Sequence, residues 1–283
     1  MIAAVAQAAT ESAAQAPAAG EPFNVSSLIM EHITDGHDIE IPFTHLTIPL
    51  PRIHVGQFDF SITRHVAMMW IACVILFVLA RMAARRTNRQ VPTGWRSVFE
   101  VFIKYIRDEI ARKAIGNEAD QYLPYLLTCF FFIWTCNLLG LIPGMSTATS
   151  NIGVTAALAV LAFFMIHLAG MRQHGVVKHL KHVMPAGLPW WLYPIMLPVE
   201  ILGLFTKPFA LCIRLFANMI AGHVVIIGLI SLIFILQSVW VAALSVPFTL
   251  FIYVLELLVC FIQAYIFTTL VSTFIGMSVH PAH

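Results

Sequence analysis

This sequence is short of charge. Sixteen Lys and Arg and fourteen Asp and Glu make 11% of 283 residues, against 59% hydrophobic residues and a mean hydropathy of +0.85. A chain so poor in polar groups cannot cover a water-facing surface, so a soluble domain is excluded and an integral membrane protein is indicated. Paired cysteines are also missing. Cys73, Cys129, Cys136, Cys212 and Cys260 all lie in apolar segments without C-x-x-C spacing, which argues against a disulfide framework or a zinc site and leaves them as small packing residues. No G-x-x-x-x-G-K-[ST] loop occurs, so nucleotide chemistry is expected elsewhere, no cofactor is implied and no nucleic-acid partner is expected.

What is present is a series of long apolar runs, at about 62–82, 121–142, 152–171, 193–237 and 246–277. Roughly 20 residues cross the 30 Å of hydrocarbon, so the chain is expected to be all-α and polytopic with five transmembrane segments. The last two runs exceed that length and must tilt, bend or leave the bilayer. Pro208 is expected to bend the first of them, with Thr206 and Lys207 meeting the freed carbonyls. Residues 95–113 place apolar groups at 95, 98, 99, 102, 103, 106 and 110 and charges at 96, 100, 104, 107, 108 and 112. That spacing predicts one amphipathic surface helix, lying on the lipid surface or against a neighbouring subunit.

Charge asymmetry orients the chain. Residues 1–60 hold seven acids and one base, Arg52, whereas 81–113 hold nine bases. By the positive-inside rule the basic end of the first span is cytoplasmic, which puts the N-terminal segment outside and the C-terminus inside. Basic residues Arg172, Lys178 and Lys181 follow the third span, so Met145 to Asn151 falls outside and the loop 172–189 inside. Residues 1–60 read as an external N-terminal segment, partly disordered, and 61–283 as the membrane domain. Its first 20 residues are low in complexity. His32, His37, His45 and His54 lack metal-site spacing and read as loop histidines. His174, His179 and His182 read as part of a solvated basic loop, with proton buffering near a channel mouth as the alternative.

Three charges lie where lipid is expected. Glu200, Lys207 and Arg214 recur every seven residues and so share one line of a helix with Gly203, Ala210, Ala217, Ala221 and Gly228. A charge at the centre of a membrane helix costs on the order of 3 kcal/mol, and Arg cannot shed its proton. Small residues along that line invite close approach by a partner helix. The alternative is an arginine that snorkels or pairs within its own chain. In the last run, Ser245, Thr249, Tyr253 and Glu256 recur at four, four and three residues, a polar stripe leading to the one acid of that segment. Glu256 either relays protons or neutralises Arg214. His223 is an imidazole able to give and take protons near neutral pH.

The run R-L-F-A-N-M-I-A-G-H at 214–223 resembles the signature helix of subunit a of F-type ATP synthases. The resemblance extends to Glu200, to Lys207-Pro208, to N-L-L-G-L-I-P-G at 137–144 and to Gln263, and covers the chain from about Arg64 onward. It implies a proton-conducting stator that hydrolyses nothing itself, sits in the bacterial inner membrane and belongs to a hetero-oligomeric complex. The implied partners are a ring of c subunits, b-type peripheral stalk subunits and membrane lipid. It implies that Arg214 faces the ring, that the two long segments form an inclined hairpin, and that two offset half-channels carry protons. His223 and Glu256 match positions that hold one histidine and one acid. Asn218 and Gln263 match positions lining the inlet and adjoining the arginine, and Glu200 and Lys207 belong to the cytoplasmic outlet. Asn137 and Asn151 also match, but Thr149 stands where the family often has an acid.

In an antiparallel hairpin turning between Gln237 and Ser245, Arg214 is level with Gln263 and His223 with Glu256. The second level lies roughly 10 to 14 Å nearer the external face, which argues against direct pairing of Arg214 with Glu256. A secondary transporter with a midplane site is the rival reading. It calls for two related halves, whereas no internal repeat is evident here and the membrane charges concentrate in the last 90 residues or so. A purely structural scaffold would have no need of Arg214 and Glu256 together.

Overall fold

The computed structural model describes residues 38–40, 47–49, 54–55, 58–59, 63–84, 94–142, 145–176 and 193–280. The expectations for residues 1–20, for His32, His37 and His45, for Pro143-Gly144, and for His179 and His182 lie outside the described residues. Ahead of the membrane domain are two small antiparallel pairs, β1 (Asp38–Glu40) with β2 (Thr47–Pro49) and β3 (His54–Val55) with β4 (Phe58–Asp59). The rest of the described chain is helical: α1 (Arg64–Ala84), α2 (Trp95–Tyr105), α3 (Ala119–Gly140), α4 (Ile152–His174), α5 (Tyr193–Leu236) and α6 (Val239–Val279). Among the described residues, five helices are long and apolar enough to cross a membrane.

The 44 residues of α5 would reach about 66 Å at 1.5 Å per residue, twice the hydrocarbon thickness. The helix runs unbroken across Pro208. The Thr206 hydroxyl donates to the Leu202 carbonyl at 2.8 Å and the Gly203 carbonyl at 3.1 Å, not to Leu204, whose usual donor Pro208 removes. A threonine on a helix reaches back three or four residues from its own position, and from 206 that range ends at 203. Lys207 does not turn to the backbone either, because its Nζ sits 5.2 Å from the centroid of the Phe274 ring.

The turn between α5 and α6 is far tighter than 237–245. Only Gln237 and Ser238 separate the helices, with Gln237 at φ 43° in the left-handed region. The stretch V-W-V-A-A-L-S from Val239 holds no glycine or proline, so nothing prevents it from joining the helix. Pro247 removes a single backbone hydrogen bond within it.

By internal contact the chain forms two compact units. One comprises Leu76–Phe132, Ile152–Leu215 and Gln263–His283. Here α2 continues through a π-helical stretch, Ile106–Ala111, into Arg112–Ile115, and Gly116 at φ 80° ends the run. The chain then doubles back. Phe99 meets Phe131 with ring centroids 5.3 Å apart, Phe102 meets Phe130 at 6.1 Å, and Arg107 donates two 2.8 Å hydrogen bonds to the Asp120 carboxylate. Ile106, Ile110 and Ile115 of the apolar face are buried by the chain itself, whereas Val98 and Ile103 are exposed, as are Lys104, Asp108, Glu109, Arg112 and Lys113. In the same unit α4 packs on the end of α6, where Ser278 donates to the Ile166 carbonyl and His174 Nε2 to the Val279 carbonyl.

The other unit comprises Met1–Ile75, Ile133–Asn151 and Phe216–Ile262. Trp134 meets Phe261 edge to face at 5.7 Å. The Ser245 hydroxyl donates to the Leu229 carbonyl at 2.6 Å, fastening α6 to α5 close to their turn.

Candidate functional site

The polar stripe of α6 lies on its packed side. Ser245, Thr249, Glu256 and Gln263 are each at most 5% exposed, while Leu244, Phe248, Phe251, Leu255 and Leu258 between them are open. In water this pattern would be inside out, but in lipid the apolar face belongs outside and the polar groups belong where protein covers them. Tyr253 is half-buried. Thr249 Oγ1 and Glu256 Oε2 on α6, and Ser231 Oγ and Asn218 Nδ2 on α5, are buried with no hydrogen-bond partner among the described residues. Burying such a group unpaired is costly.

Glu256 sits against the backbone of α5 at Gly222, where a side chain of any size would overlap its carboxyl group. The next residue, His223, has Nε2 2.6 Å from Thr147 Oγ1. The contact at Gly222 puts the Glu256 carboxyl within one residue of His223 along α5. Thr147 belongs to the segment between α3 and α4, which is drawn inward: Ser146, Thr147, Ala148, Thr149 and Ser150 are all buried. Its own hydroxyl lies on Gly140, where a Cβ would collide with it. The Thr149 hydroxyl donates to Asn137 Oδ1 at 2.6 Å, and Asn137 is itself 1% exposed. The Thr147 carbonyl accepts from the Ser150 hydroxyl at 2.7 Å and from His65 Nδ1 at 3.0 Å.

The charged line on α5 is largely exposed. Arg214 and Lys207 are exposed together with Ala210, Ala217 and Ala221, and Glu200 is half-buried. The opposite side of that helix carries the buried Leu211, Leu215, Met219, Ile226 and Ile230. Among the described residues Arg214 makes no ion pair. Among the described residues no three His, Cys, Asp or Glu side chains gather as metal ligands would.

Residues 66–276 match the family model described as ATP synthase A chain, about three quarters of the sequence. The chain belongs to this family. A protein named ATP synthase subunit a from Chloroherpeton thalassium is 48% identical over 90% of this chain and 77% of its own length. ATP synthase subunit a 2 from Prosthecochloris aestuarii is 48% identical over 97% of this chain and 86% of its own. A third relative, ATP synthase subunit a from Myxococcus xanthus, is 49% identical over 83% and 78%. Relatives in the ATP synthase A chain family thus match the helices that carry both the polar stripe and Arg214.

Sequence reasoning assigned no role of their own to His65, Thr147, Gly140 or Gly222. His65 is a histidine at the start of an apolar run, Thr147 falls in the external connection, and Gly140 and Gly222 lie inside the runs at 137–144 and 214–223.

Proposed function

We propose that this chain is the proton-translocating stator subunit of a rotary ATP synthase, with two offset half-channels that serve the carboxylates of a c-subunit ring. The observation that carries the proposal is the contrast in exposure between the charged groups of the two long helices. The Glu256 stripe is buried, while Arg214 is exposed among small side chains where a partner helix can approach.

In this reading the external half-channel runs along Ser245, Thr249 and Tyr253 to Glu256, His223 and Asn218. Glu256 and His223 pass the proton onward by alternating protonation, the chemistry to which carboxylic acid and imidazole are suited. Glu200 and Lys207 belong to the cytoplasmic outlet. Gln263 lies at the depth of Arg214 and helps to hold it. The permanently charged guanidinium forces each arriving ring carboxylate to ionise and bars protons from running directly from inlet to outlet. Each proton falling through 100 mV supplies about 2.3 kcal/mol, which the ring accumulates over a turn.

The chain performs no catalysis itself. It sits in a bacterial inner membrane, residues 1–60 forming an external segment and the C-terminus lying inside, in an assembly with b-type stalk subunits and lipid. The test is ATP synthesis by the complex reconstituted in vesicles, with proton and sodium gradients imposed separately. Synthesis under the proton gradient alone is expected. Synthesis that follows only the sodium gradient would reject proton transport, and none under either gradient would reject the stator role.

A further inference from the structure

We infer that His65 is a positioning residue for proton entry, acting through Thr147 to hold a hydroxyl group on His223. The inference rests on the relay reading of His223 and Glu256 given above. His65 lies in the first turn of α1, is 1% exposed, and places Nδ1 3.0 Å from the carbonyl oxygen of Thr147, 82 residues further along the chain. A carbonyl oxygen only accepts, so Nδ1 carries the hydrogen and donates it. The side chain of that same threonine puts Oγ1 2.6 Å from Nε2 of His223. One residue thus receives a hydrogen bond on its backbone from the first imidazole and makes one with its side chain to the second.

The other bonds to the Thr147 carbonyl come from within its own turn. Ser150 gives its hydroxyl at 2.7 Å and its amide at 3.1 Å. These shape the turn but do not attach it to the helices. His65 reaches the turn from another element, and Gly140 leaves the room into which the Thr147 hydroxyl fits. With the backbone held on one side and a bare glycine on the other, the hydroxyl is aimed at His223. A hydroxyl both gives and accepts, so it stays bonded to Nε2 whichever tautomer His223 adopts.

The inference is tested in native membrane vesicles by proton-driven ATP synthesis, normalised to assembled complex, for His65→Leu, His65→Asn, Thr147→Val, His223→Ala and the double change of His65→Leu with Thr147→Val. His65→Leu and Thr147→Val are each expected to lower the rate about tenfold, the scale of one buried hydrogen bond lost. His65→Asn is expected to restore most of it, because an asparagine amide stands where Nδ1–H stood. The double variant is expected to be no slower than the slower single one. Full rate in His65→Leu overturns the inference. So does an Asn variant as slow as the Leu variant, or a double variant slowed by the product of the single effects. If His65→Leu does not assemble, the rate of His65→Asn decides alone. These failures leave the relay standing as long as His223→Ala is slow. A His223→Ala complex at full rate overturns the relay and this inference with it.

Discussion

The carboxyl group of Glu256 rests on Gly222, in the space where any other residue would put its Cβ. Glycine at 222 is therefore a requirement set by a residue 34 positions away, and Gly222→Ala should displace the acid from beside His223. Overpacking of this kind costs about 1 to 3 kcal/mol. ATP-driven proton uptake by vesicles should fall about tenfold or more, while replacement of the open Phe251 by Leu should leave it nearly unchanged. Normal uptake in Gly222→Ala would show that the carboxyl does not need this seat.

Arg214 should tolerate no neutral substitute. Arg214→Ala is expected to abolish coupled synthesis while passive proton leak persists or rises, because the barrier it supplies is electrostatic. Arg214→Lys should fail as well, since a compact ammonium lacks the multidentate fork and releases its proton more readily. Full synthesis with lysine would disprove the role given to the guanidinium.

His223 and Glu256 should be exchangeable as a pair. A complex with Glu at 223 and His at 256 keeps one acid and one imidazole at the same level, and it should synthesise ATP faster than either single replacement. The comparison uses vesicles of equal complex content. A double exchange no better than the worse single change would sink the relay.

Thr149 should matter for stability more than for chemistry. Its hydroxyl donates to the buried Asn137 Oδ1, and Thr149→Val leaves that acceptor without its donor at a cost of about 1 to 3 kcal/mol. Retention of the subunit in the detergent-purified complex on heating should drop for Thr149→Val and be spared for Thr149→Ser. Equal retention of all three would show that the bond contributes little.

Much of this was legible from spacing. The seven-residue line through Arg214 and the stripe from Ser245 to Glu256 are periodicities, and a helix converts a periodicity into a face without help from the rest of the chain. Which face is buried is set by long-range contacts, and these leave Arg214 exposed and Glu256 buried. The start of α6 at Val239 was missed because Pro247 and Ser245 resemble a turn, although a bilayer-length helix tolerates one lost bond. The inward-drawn segment from Ser146 to Ser150 reads as a polar connection, and its burial goes with contacts to His65, Asn137 and Gly140, which lie on helices and not in the segment itself. Spacing along one helix carries no information about a partner on another.

The two-residue link between α5 and α6 has a mechanical meaning. A long loop would absorb strain, letting one helix slide or roll while the other stayed put. Gln237 and Ser238 leave no slack, and the Ser245 hydroxyl pins the helices again two turns below. Any sideways load on one helix near the turn passes directly into the other, so the pair resists torque there as a single strut. Lengthening the link by a few flexible residues would keep every side chain in the sequence and still turn that strut into a hinge.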